Sequence, residues 1–483
     1  MATISLDLDV LGIELSTNPN YTCGMLGPET KAFDSLGGRR SPQLCDIYSL
    51  GQTTSMSNHN SKTTLSELIS PISSVLNSNP YARKSDGLND HNWTIMGIKR
   101  VLSENTSGRS FLQGVVTNGD APIWTGHYFN TLKSERRLAN LEWTNQQLVN
   151  SDTAWIDCED PISEHCPELD DFVIHMGDGH HHKAPVHEKK VAGKVYSTQH
   201  FYAKNIRNGM MWPIALAEYG YGRKKEHDMR ALKRQTIEVL RAGASKGKKS
   251  LWLWDSACMC FPKWHEWKMR GIYFLTVEKE LNEFININAL DFDQEDTINE
   301  GVLKDQQVES GSKNILLRRV TYRCPDGKRY VFITNLHRNI RPGVIAFLYR
   351  SRWEIEKIYN TFKHKLNEQR AWAVSEVAKC MQANFICLTH NLALIMNRKV
   401  EREAPKPELS PNNEARMKRE KRLNSAIAKN KKRGRAFPKL LLTASRITEM
   451  PKKFILWLRE TIKIGCPWSD SIHRLEVLCV RRY

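Results

Sequence analysis

The chain has 483 residues, a hydrophobic fraction of 40% and a net charge of +18, from 71 Lys and Arg against 53 Asp and Glu. At roughly 100–200 residues per domain, this length predicts several domains, and the basic excess indicates a polyanionic partner. No run of about 18 apolar residues is present, which disfavours a membrane partner and favours nucleic acid. The first residues, MATISLDLDVLGIEL, lack the basic start of a secretory signal, so we expect a cytoplasmic, nucleoid-associated protein.

The amino-terminal third divides into an irregular segment and a helical one. Residues 1–60 are rich in Ser, Asn, Thr and Gly and predict an irregular entry. Residues 61–165 space apolar residues at helical intervals, most clearly in 92–102 and 127–149. Basic helices ahead of a catalytic region are typical of a DNA-end-binding region. The alternative is a small helical bundle that packs against its neighbour.

The pattern changes to alternating strands and helices in residues 171–278. Two of the predicted strands end in an acid, the first at Asp178 and the fourth at Asp255. Short links between the first three strands predict an antiparallel meander. In chain order the predicted elements are strands DFVIHMGD, KVYSTQHFYAKN and MMWPIALAEY, a helix EHDMRALKRQTIEVLRAG closed by Gly243, a strand SLWLWD, a helix FPKWHEWKMRG and a strand IYFLTVEK.

The next segments are a β-rich insertion and a pair of helices. Residues 279–341 contain the strand-like runs ILLRRVTYRC and RYVFITNL and interrupt the alternating pattern. Residues 342–397 predict one helix beginning after Pro342-Gly343, followed by a second that is apolar over much of its surface.

The carboxyl-terminal part begins with a basic linker. Residues 398–439 hold 15 Lys or Arg against 5 Glu, a density that indicates phosphate contact, although such runs are also found as solvated faces. Residues 440–483 return to a helical period, and we expect this helical region to dock on the body.

Four residues of FLYRSRWEIEKIYNTFKHKL are spaced to share one side of a helix. Tyr349, Arg352, Glu356 and Lys363 are separated by three, four and seven positions, which places them on one stripe at about 100° per residue. A carboxylate among fixed cations suits an acid that stays ionised beside a phosphate. The alternative is a solvated helix with an ion pair between Arg352 and Glu356, worth about 0.3–0.5 kcal/mol.

Two strand-terminal aspartates and a helical glutamate are the residue types that two-metal phosphoryl transfer requires. Magnesium prefers oxygen ligands and keeps some of its waters, so Asp178, Asp255 and Glu356 would leave room for phosphate and water. Asp at a strand end is also common as a turn or cap residue. The run His180 to His182 offers further candidate ligands. Because neighbouring residues of a strand alternate sides, not all three can reach one ion, and we expect this run to face phosphate or solvent.

The pattern Tyr349-x-x-Arg352-x-x-x-Glu356-x-x-x-x-x-x-Lys363 resembles the Tyr-Arg-Glu-Lys signature of the insertion sequence 4 family of bacterial DDE transposases. The contexts GDG at 177–179 and LWLWD at 251–255 are similar to those of that family's first and second catalytic aspartates. The resemblance covers residues 171–397.

This resemblance implies an α/β fold with a ribonuclease H-like mixed-sheet catalytic core, formed by residues 171–278 and 342–397 and split by the β insertion. It implies that Asp178, Asp255 and Glu356 are the catalytic, metal-binding triad. It also implies that Tyr349, Arg352 and Lys363 contact DNA near the scissile phosphate. Tyr349 would offer a hydroxyl and a ring for stacking, Arg352 a planar guanidinium and Lys363 a mobile positive charge.

We therefore expect a transposase that binds terminal inverted repeats, cleaves DNA at the element ends and joins the 3′ hydroxyls to target DNA. Its cofactor would be two magnesium ions, for which manganese can substitute, and its partners would be double-stranded DNA and a second copy in an active homodimer. Two alternatives stay open. One is a DNA-binding protein that has this fold without cleavage, and the other is a structure-specific nuclease that cuts without joining.

Overall fold

The computed structural model describes residues 62–403 with short gaps, a few residues between 421 and 432, and 452–474 without 473. The gaps are 83–87, 105–106, 119–124, 159, 191–192, 219–225, 245–246, 280–282, 311–313 and 325–326. The predicted irregular entry at 1–60 and about two thirds of the basic linker at 398–439 therefore lie outside the described residues.

The described residues form a mixed α/β structure around one nine-stranded sheet, with the strand order β3-β2-β1-β4-β5-β9-β8-β7-β6. Most neighbouring strands are antiparallel, and β1 with β4 and β4 with β5 are parallel. The strands are β1 (Phe172–His182), β2 (Thr198–Asn205), β3 (Met211–Leu216), β4 (Lys249–Leu253), β5 (Ile272–Val277), β6 (Phe284–Ala289), β7 (Val302–Ser310), β8 (Ile315–Arg323) and β9 (Arg329–Thr334).

The predicted antiparallel meander is confirmed, since β1 pairs with β2 and β2 with β3. The predicted end of the first strand at Asp178 is wrong. Strand β1 continues to His182 because its second half pairs with β2, from His175 opposite Asn205 to His182 opposite Thr198. This pairing is non-local, so the apolar run in the sequence does not reveal it.

The β-rich insertion continues the central sheet. Strand β9 pairs antiparallel with β5, and β8, β7 and β6 follow outward. A buried ion pair fixes β8 on β7: Arg318 Nη2 lies 2.6 Å from Asp305 Oδ2, and the exposed fractions of the two side chains are 4% and 2%. The insertion is therefore part of the same hydrogen-bonded layer as β1 and β4.

Helices cover both faces of the sheet. Those of the amino-terminal region are α1 (Thr64–Asn77), α2 (Asp90–Leu102), α3 (Gly108–Thr117), α4 (Thr125–Thr131), α5 (Glu135–Asn150) and α6 (Pro161–His165). Those that follow are α7 (Asp228–Lys233), α8 (Ile237–Leu240), α9 (Phe261–Lys268), α10 (Pro342–Ser351), α11 (Glu354–Lys365), α12 (Glu376–Glu403) and α13 (Lys452–Lys463).

The predicted apolar second helix is confirmed as α12, which packs against β3 and against α1, α2 and α5. Two basic residues of the amino-terminal helices are bound within the protein. Arg136 donates to both carboxylate oxygens of Asp90, at 2.7 and 2.9 Å, and Arg137 Nε lies 3.5 Å from the same carboxylate. These two cations therefore contribute contacts within the helical region.

Three single helices of the sequence prediction are each two helices in the structure. Residues 127–149 divide between α4 and α5, where Ser134 caps the new start by accepting from Arg137 N. The run before Gly243 divides between α7 and α8, where Thr236 accepts from Val239 N. Hydroxyl side chains compete for backbone groups in this way and restart helices. Gly243 does close the run, with a φ of 76°.

The third divided helix is the one that carries the stripe. Helix α10 ends at Ser351 and α11 begins at Glu354, with Arg352 and Trp353 between them. Both linking residues keep right-handed helical dihedrals, and the amides of Arg352 and Trp353 bond to carbonyls three residues back. The tightened turn interrupts the helix between Ser351 and Glu354, so the prediction of one continuous helix is wrong.

The expected docking of the carboxyl-terminal region is confirmed for α13, which contacts α1 and α11. Residue Thr63 also forms a bridge with Pro467. Within the part of the chain that the structure describes, no helix combines the length and apolarity needed to cross a membrane.

Candidate active site

The two aspartates lie at matching positions along neighbouring parallel strands, with Asp178 inside β1 and Asp255 two residues after the end of β4. Met176 of β1 is paired with Leu253 of β4, and Asp178 and Asp255 each follow two residues later. Since the two strands run in the same direction, both aspartates lie at the carboxyl-terminal end of this strand pair. The charge of Asp255 contributes to the raised pKa of Asp178.

Local bonds fix the backbone around these aspartates. The Asp178 carboxylate accepts from Gly179 N at 2.8 Å, and the Asp255 carboxylate accepts from Ala257 N at 2.8 Å. The hydroxyl of Thr276 donates to the backbone oxygen of Asp255 at 2.8 Å. The backbone around both aspartates is therefore held by hydrogen bonds to neighbouring residues.

Gly177 allows the close packing beside Asp178. An added Cβ there would lie 2.1 Å from Cζ2 of Trp254, whose side chain is buried against Trp252. Any larger residue would displace the buried indole ring of Trp254.

The third acid, Glu356, lies in the first turn of α11, close to Arg352 in the turn that precedes this helix. Arg352 Nη2 lies 3.9 Å from Glu356 Oε1, and Arg352 is buried. Burial opposes its charge, yet Tyr349 and the carboxylates of Asp178, Asp255 and Glu356 raise its pKa. One guanidinium therefore stands among the three predicted catalytic acids.

The environment of the site raises the pKa values of Asp178 and Glu356 and so disfavours their ionised forms. Burial raises the pKa of Asp178 to about 6, and the charges of Asp255 and Glu356 add to that effect while Arg352 opposes it. The pKa of Glu356 is also raised by burial, against the attraction of Arg352. Such a group of carboxylates can bind divalent cations, because a bound cation offsets both the cost of burying the charges and the repulsion between them.

A fourth acid, Asp228, joins this group and was missed in the sequence. It is the first residue of α7. Burial raises its pKa to about 7, and the charges of Asp255 and Asp178 contribute. Asp at the first turn of a helix is commonplace, so no local signal distinguishes it from an ordinary helix start.

Of the three predicted DNA contacts, the structure places Tyr349 and Arg352 together and Lys363 apart from them. Tyr349 packs on Phe332, with ring centroids 5.2 Å apart, and the Arg352 guanidinium lies 5.7 Å from the Tyr349 ring centroid. Both residues belong to the acidic site. Lys363 is exposed near the end of α11, where its charge acts on His180 and Glu368.

A second group of titratable residues lies on the same sheet face as Asp178. Two-residue spacing puts His180 and His182 on that face, and Glu368, just after α11, completes a buried group that could hold a metal ion. Their candidate ligand atoms all lie within 4.8 Å of one another. The expectation that the histidine run is solvated or faces phosphate is therefore wrong for His180 and His182, which are buried against α11.

Burial keeps this second group neutral. It lowers the pKa of His180 to about 3 and raises that of Glu368 to about 8. The Tyr202 hydroxyl donates to Glu368 Oε1, and the ring of Tyr359 stacks on His180 with centroids 4.6 Å apart. The Tyr359 ring therefore lies beside both groups.

Comparison with known proteins adds no assignment: a scan of protein-family models and a search of curated proteins each returned no match. The geometry of the site therefore carries the functional argument.

Proposed function

We propose that the protein is a DDE-type transposase with a ribonuclease H-like core, which cleaves DNA at element ends and joins the 3′ hydroxyls to target DNA. The observation that carries this proposal is the parallel pairing of β1 and β4, which brings Asp178 and Asp255 to the same end of the sheet. Arg352, whose charge interacts with both aspartates, lies 3.9 Å from Glu356. The mixed sheet, with parallel β1 and β4 delivering two of the acids, supports the core that the sequence resemblance implies.

The donor set fits two hard divalent cations. Carboxylate oxygens are the ligands that Mg²⁺ and Mn²⁺ prefer, and burial and mutual repulsion raise the pKa of Asp178 to about 6. Bound cations would favour the ionised forms. Two such ions, about 3.5–4 Å apart, would supply an activated nucleophile and a stabilised leaving oxygen. Asp178, Asp255 and Glu356 would hold them, and Asp228 is close enough to contribute its charge.

The cationic residues of the site suit a phosphodiester. Arg352 Nε forms no hydrogen bond among the described residues, so its planar fork can donate to a phosphate oxygen. The guanidinium lies over the rings of Tyr349 and Trp353, at 5.7 and 5.2 Å from their centroids. Lys363, exposed further along α11, would contact the DNA backbone at a greater distance from the reacting atoms.

The proposed partners follow from the same chemistry. The net charge of +18 suits double-stranded DNA. Joining two element ends requires both to be held in one complex, and we propose a homodimer for that role.

A cleavage assay tests the proposal. The full chain is incubated, with Mg²⁺ or Mn²⁺, with a duplex that carries the inverted repeats flanking its reading frame. We expect cleavage and joined products from the wild type, and no products from Asp178→Asn, Asp255→Asn or Glu356→Gln, with DNA binding retained. The control is Asp291→Asn, which makes the same chemical change at an exposed position.

The outcomes separate the alternatives. Specific binding without cleavage by the wild type would favour the binding protein, and cleavage without joining would favour the nuclease. Cleavage that survives substitution of the three acids would reject the proposed site.

A further inference from the structure

We propose that His180, His182 and Glu368 form a buried binding site for one transition-metal ion of the Zn²⁺ class, separate from the carboxylate site. The proposal does not depend on the proposed DNA cleavage, because it concerns a different donor set with its own measurable occupancy.

Unpartnered polar atoms are the first observation. His180 Nε2, both ring nitrogens of His182 and Glu368 Oε2 are buried without a hydrogen-bond partner. Buried polar atoms in folded proteins nearly always have a partner, which is a protein group, an ordered water or an ion. One candidate ligand atom from each of the three side chains lies within 4.8 Å of the other two, so a single ion between them would give each side chain a partner.

The spacing of these atoms fits a small ion. His180 Nε2 lies 3.4 Å from Glu368 Oε2, and His182 Nδ1 lies 3.6 Å from Glu368 Oε1. With metal–ligand bonds of roughly 2.0–2.2 Å, neighbouring ligand atoms of a tetrahedral site lie about 3.3–3.6 Å apart. The two distances are too long for strong hydrogen bonds and suit a shared metal.

The kind of donor distinguishes this site from the acidic one. Two imidazoles and one carboxylate are a typical set for Zn²⁺, whereas Mg²⁺ prefers oxygen donors alone. Among the described residues, no fourth His, Cys, Asp or Glu joins the group, so the remaining position would be left for a water or a hydroxyl. The Tyr202 hydroxyl, bonded to Glu368 Oε1, orients the carboxylate in the way that outer-shell partners of metal sites do.

The site would join two elements that are distant in sequence. His180 and His182 belong to β1, and Glu368 follows α11. The backbone amide of Lys183 also donates to the carbonyl of Gln369 at 3.1 Å, so the two segments are already in register. An ion held by both would tie the strand that carries Asp178 to the helix that carries Glu356.

Metal content of the purified full chain tests the inference directly. We expect elemental analysis to find one zinc ion per chain after dialysis, and we expect Co²⁺ to replace it with the visible spectrum of a tetrahedral site. Glu368→Gln and His182→Ala should lose the ion. His181→Ala is the matched control, because its neighbouring position points to the opposite face of β1 and should keep the ion.

A further variant guards against loss of folding. His182→Cys replaces one zinc ligand with another, so it should retain the ion if the variant folds, as judged by circular dichroism. A wild type that binds no Zn²⁺ or Co²⁺ on titration would overturn the inference. Retention of the ion in Glu368→Gln, with loss in Asp178→Asn, would overturn it equally, because the ion would then belong to the carboxylate site.

Discussion

The Tyr359 hydroxyl donates a hydrogen bond of 2.9 Å to the backbone oxygen of Asp178. This contact joins α11, which carries Glu356, to β1, which carries Asp178, over 181 positions of sequence. The same ring stacks on His180. Tyr359 therefore ties the backbone at Asp178 to the helix that carries Glu356.

Removal of this hydroxyl should weaken both the fold and the site. We expect Tyr359→Phe to lower the free energy of unfolding by about 1 kcal/mol and to reduce DNA cleavage without abolishing it. Denaturant unfolding and single-turnover kinetics measure the two effects. The control is Tyr273→Phe, whose ring packs on Phe172 and whose hydroxyl forms no hydrogen bond with the described residues. Equal losses in both variants would contradict a specific role for Tyr359.

A methyl group at Gly177 should destabilise the protein. Because its Cβ would meet the Trp254 ring at 2.1 Å, we expect Gly177→Ala to cost about 1–3 kcal/mol of unfolding free energy. Gly114 in α3 has nothing within 4 Å of an added Cβ, so Gly114→Ala should instead stabilise by about 0.5–1 kcal/mol. Thermal and denaturant unfolding would show the opposite signs, and a stable Gly177→Ala would contradict the packing argument.

Stability should fall with rising pH because of Asp228. Its pKa is raised from 3.8 to about 7 in the folded protein, so the folded state binds this proton more tightly than the unfolded state does. The stability gained from that proton is present below pH 3.8 and is lost as the pH rises through about 7.

Asp228→Asn removes this dependence. In metal-free protein with chelator present, the variant should be more stable than wild type at pH 8 by on the order of 2 kcal/mol, and about equal near pH 4. Chemical unfolding at a series of pH values measures the difference, with Asp291→Asn as the control. A difference that does not change with pH would show that Asp228 titrates normally.

Loss of Arg352 should shift the pH dependence of cleavage. This guanidinium lowers the pKa of Asp178, so Arg352→Ala should raise that pKa and move the acidic limb of the pH–rate profile upward. We also expect a rate loss of about 100-fold to 1,000-fold, typical for removal of one preorganised donor. Arg350→Ala is the control, because this neighbouring arginine is exposed. An unshifted limb in Arg352→Ala would remove Arg352 from the electrostatics of the site.

The buried pair of the β insertion should be costly to break. Asp305→Ala would leave Arg318 buried and unpaired, which costs about 3–5 kcal/mol. The half-buried pair of Arg319 and Glu278, at 2.7 Å, provides the comparison, and Glu278→Ala should cost about 1 kcal/mol or less. Urea unfolding followed by far-ultraviolet circular dichroism measures both. Similar costs would contradict the assignment of the insertion to the folded core.

Seven of the nine strands were named from the sequence, because they contain short apolar runs bounded by turn residues. Strands β6 and β7 were not named, since β6 is largely exposed and β7, VLKDQQVES, is mostly polar. The runs before Asp178 and Asp255 became β1 and β4, and their parallel pairing places the two acids together. Helix boundaries were predicted less well. A cap such as Thr236 or a tightened turn at Arg352 depends on local hydrogen bonds that hydrophobic periodicity does not encode.

The residues that escaped prediction share one property, which is that only tertiary packing gives them a role. Asp228 resembles an ordinary helix start, and Glu368 stands alone in a polar stretch after α11. Each becomes distinctive only when distant strands bury it beside Asp178 or His180. A role that depends on tertiary contacts of one residue leaves no periodic pattern in the sequence.

The alternation of side chains along β1 has a consequence for natural variation. Asp178, His180 and His182 share one face because each follows the last by two residues. Deletion or insertion of a single codon between Asp178 and His182 would send later members to the opposite face, whereas a two-codon change would preserve the parity. Length variants of this segment should therefore survive only in even steps.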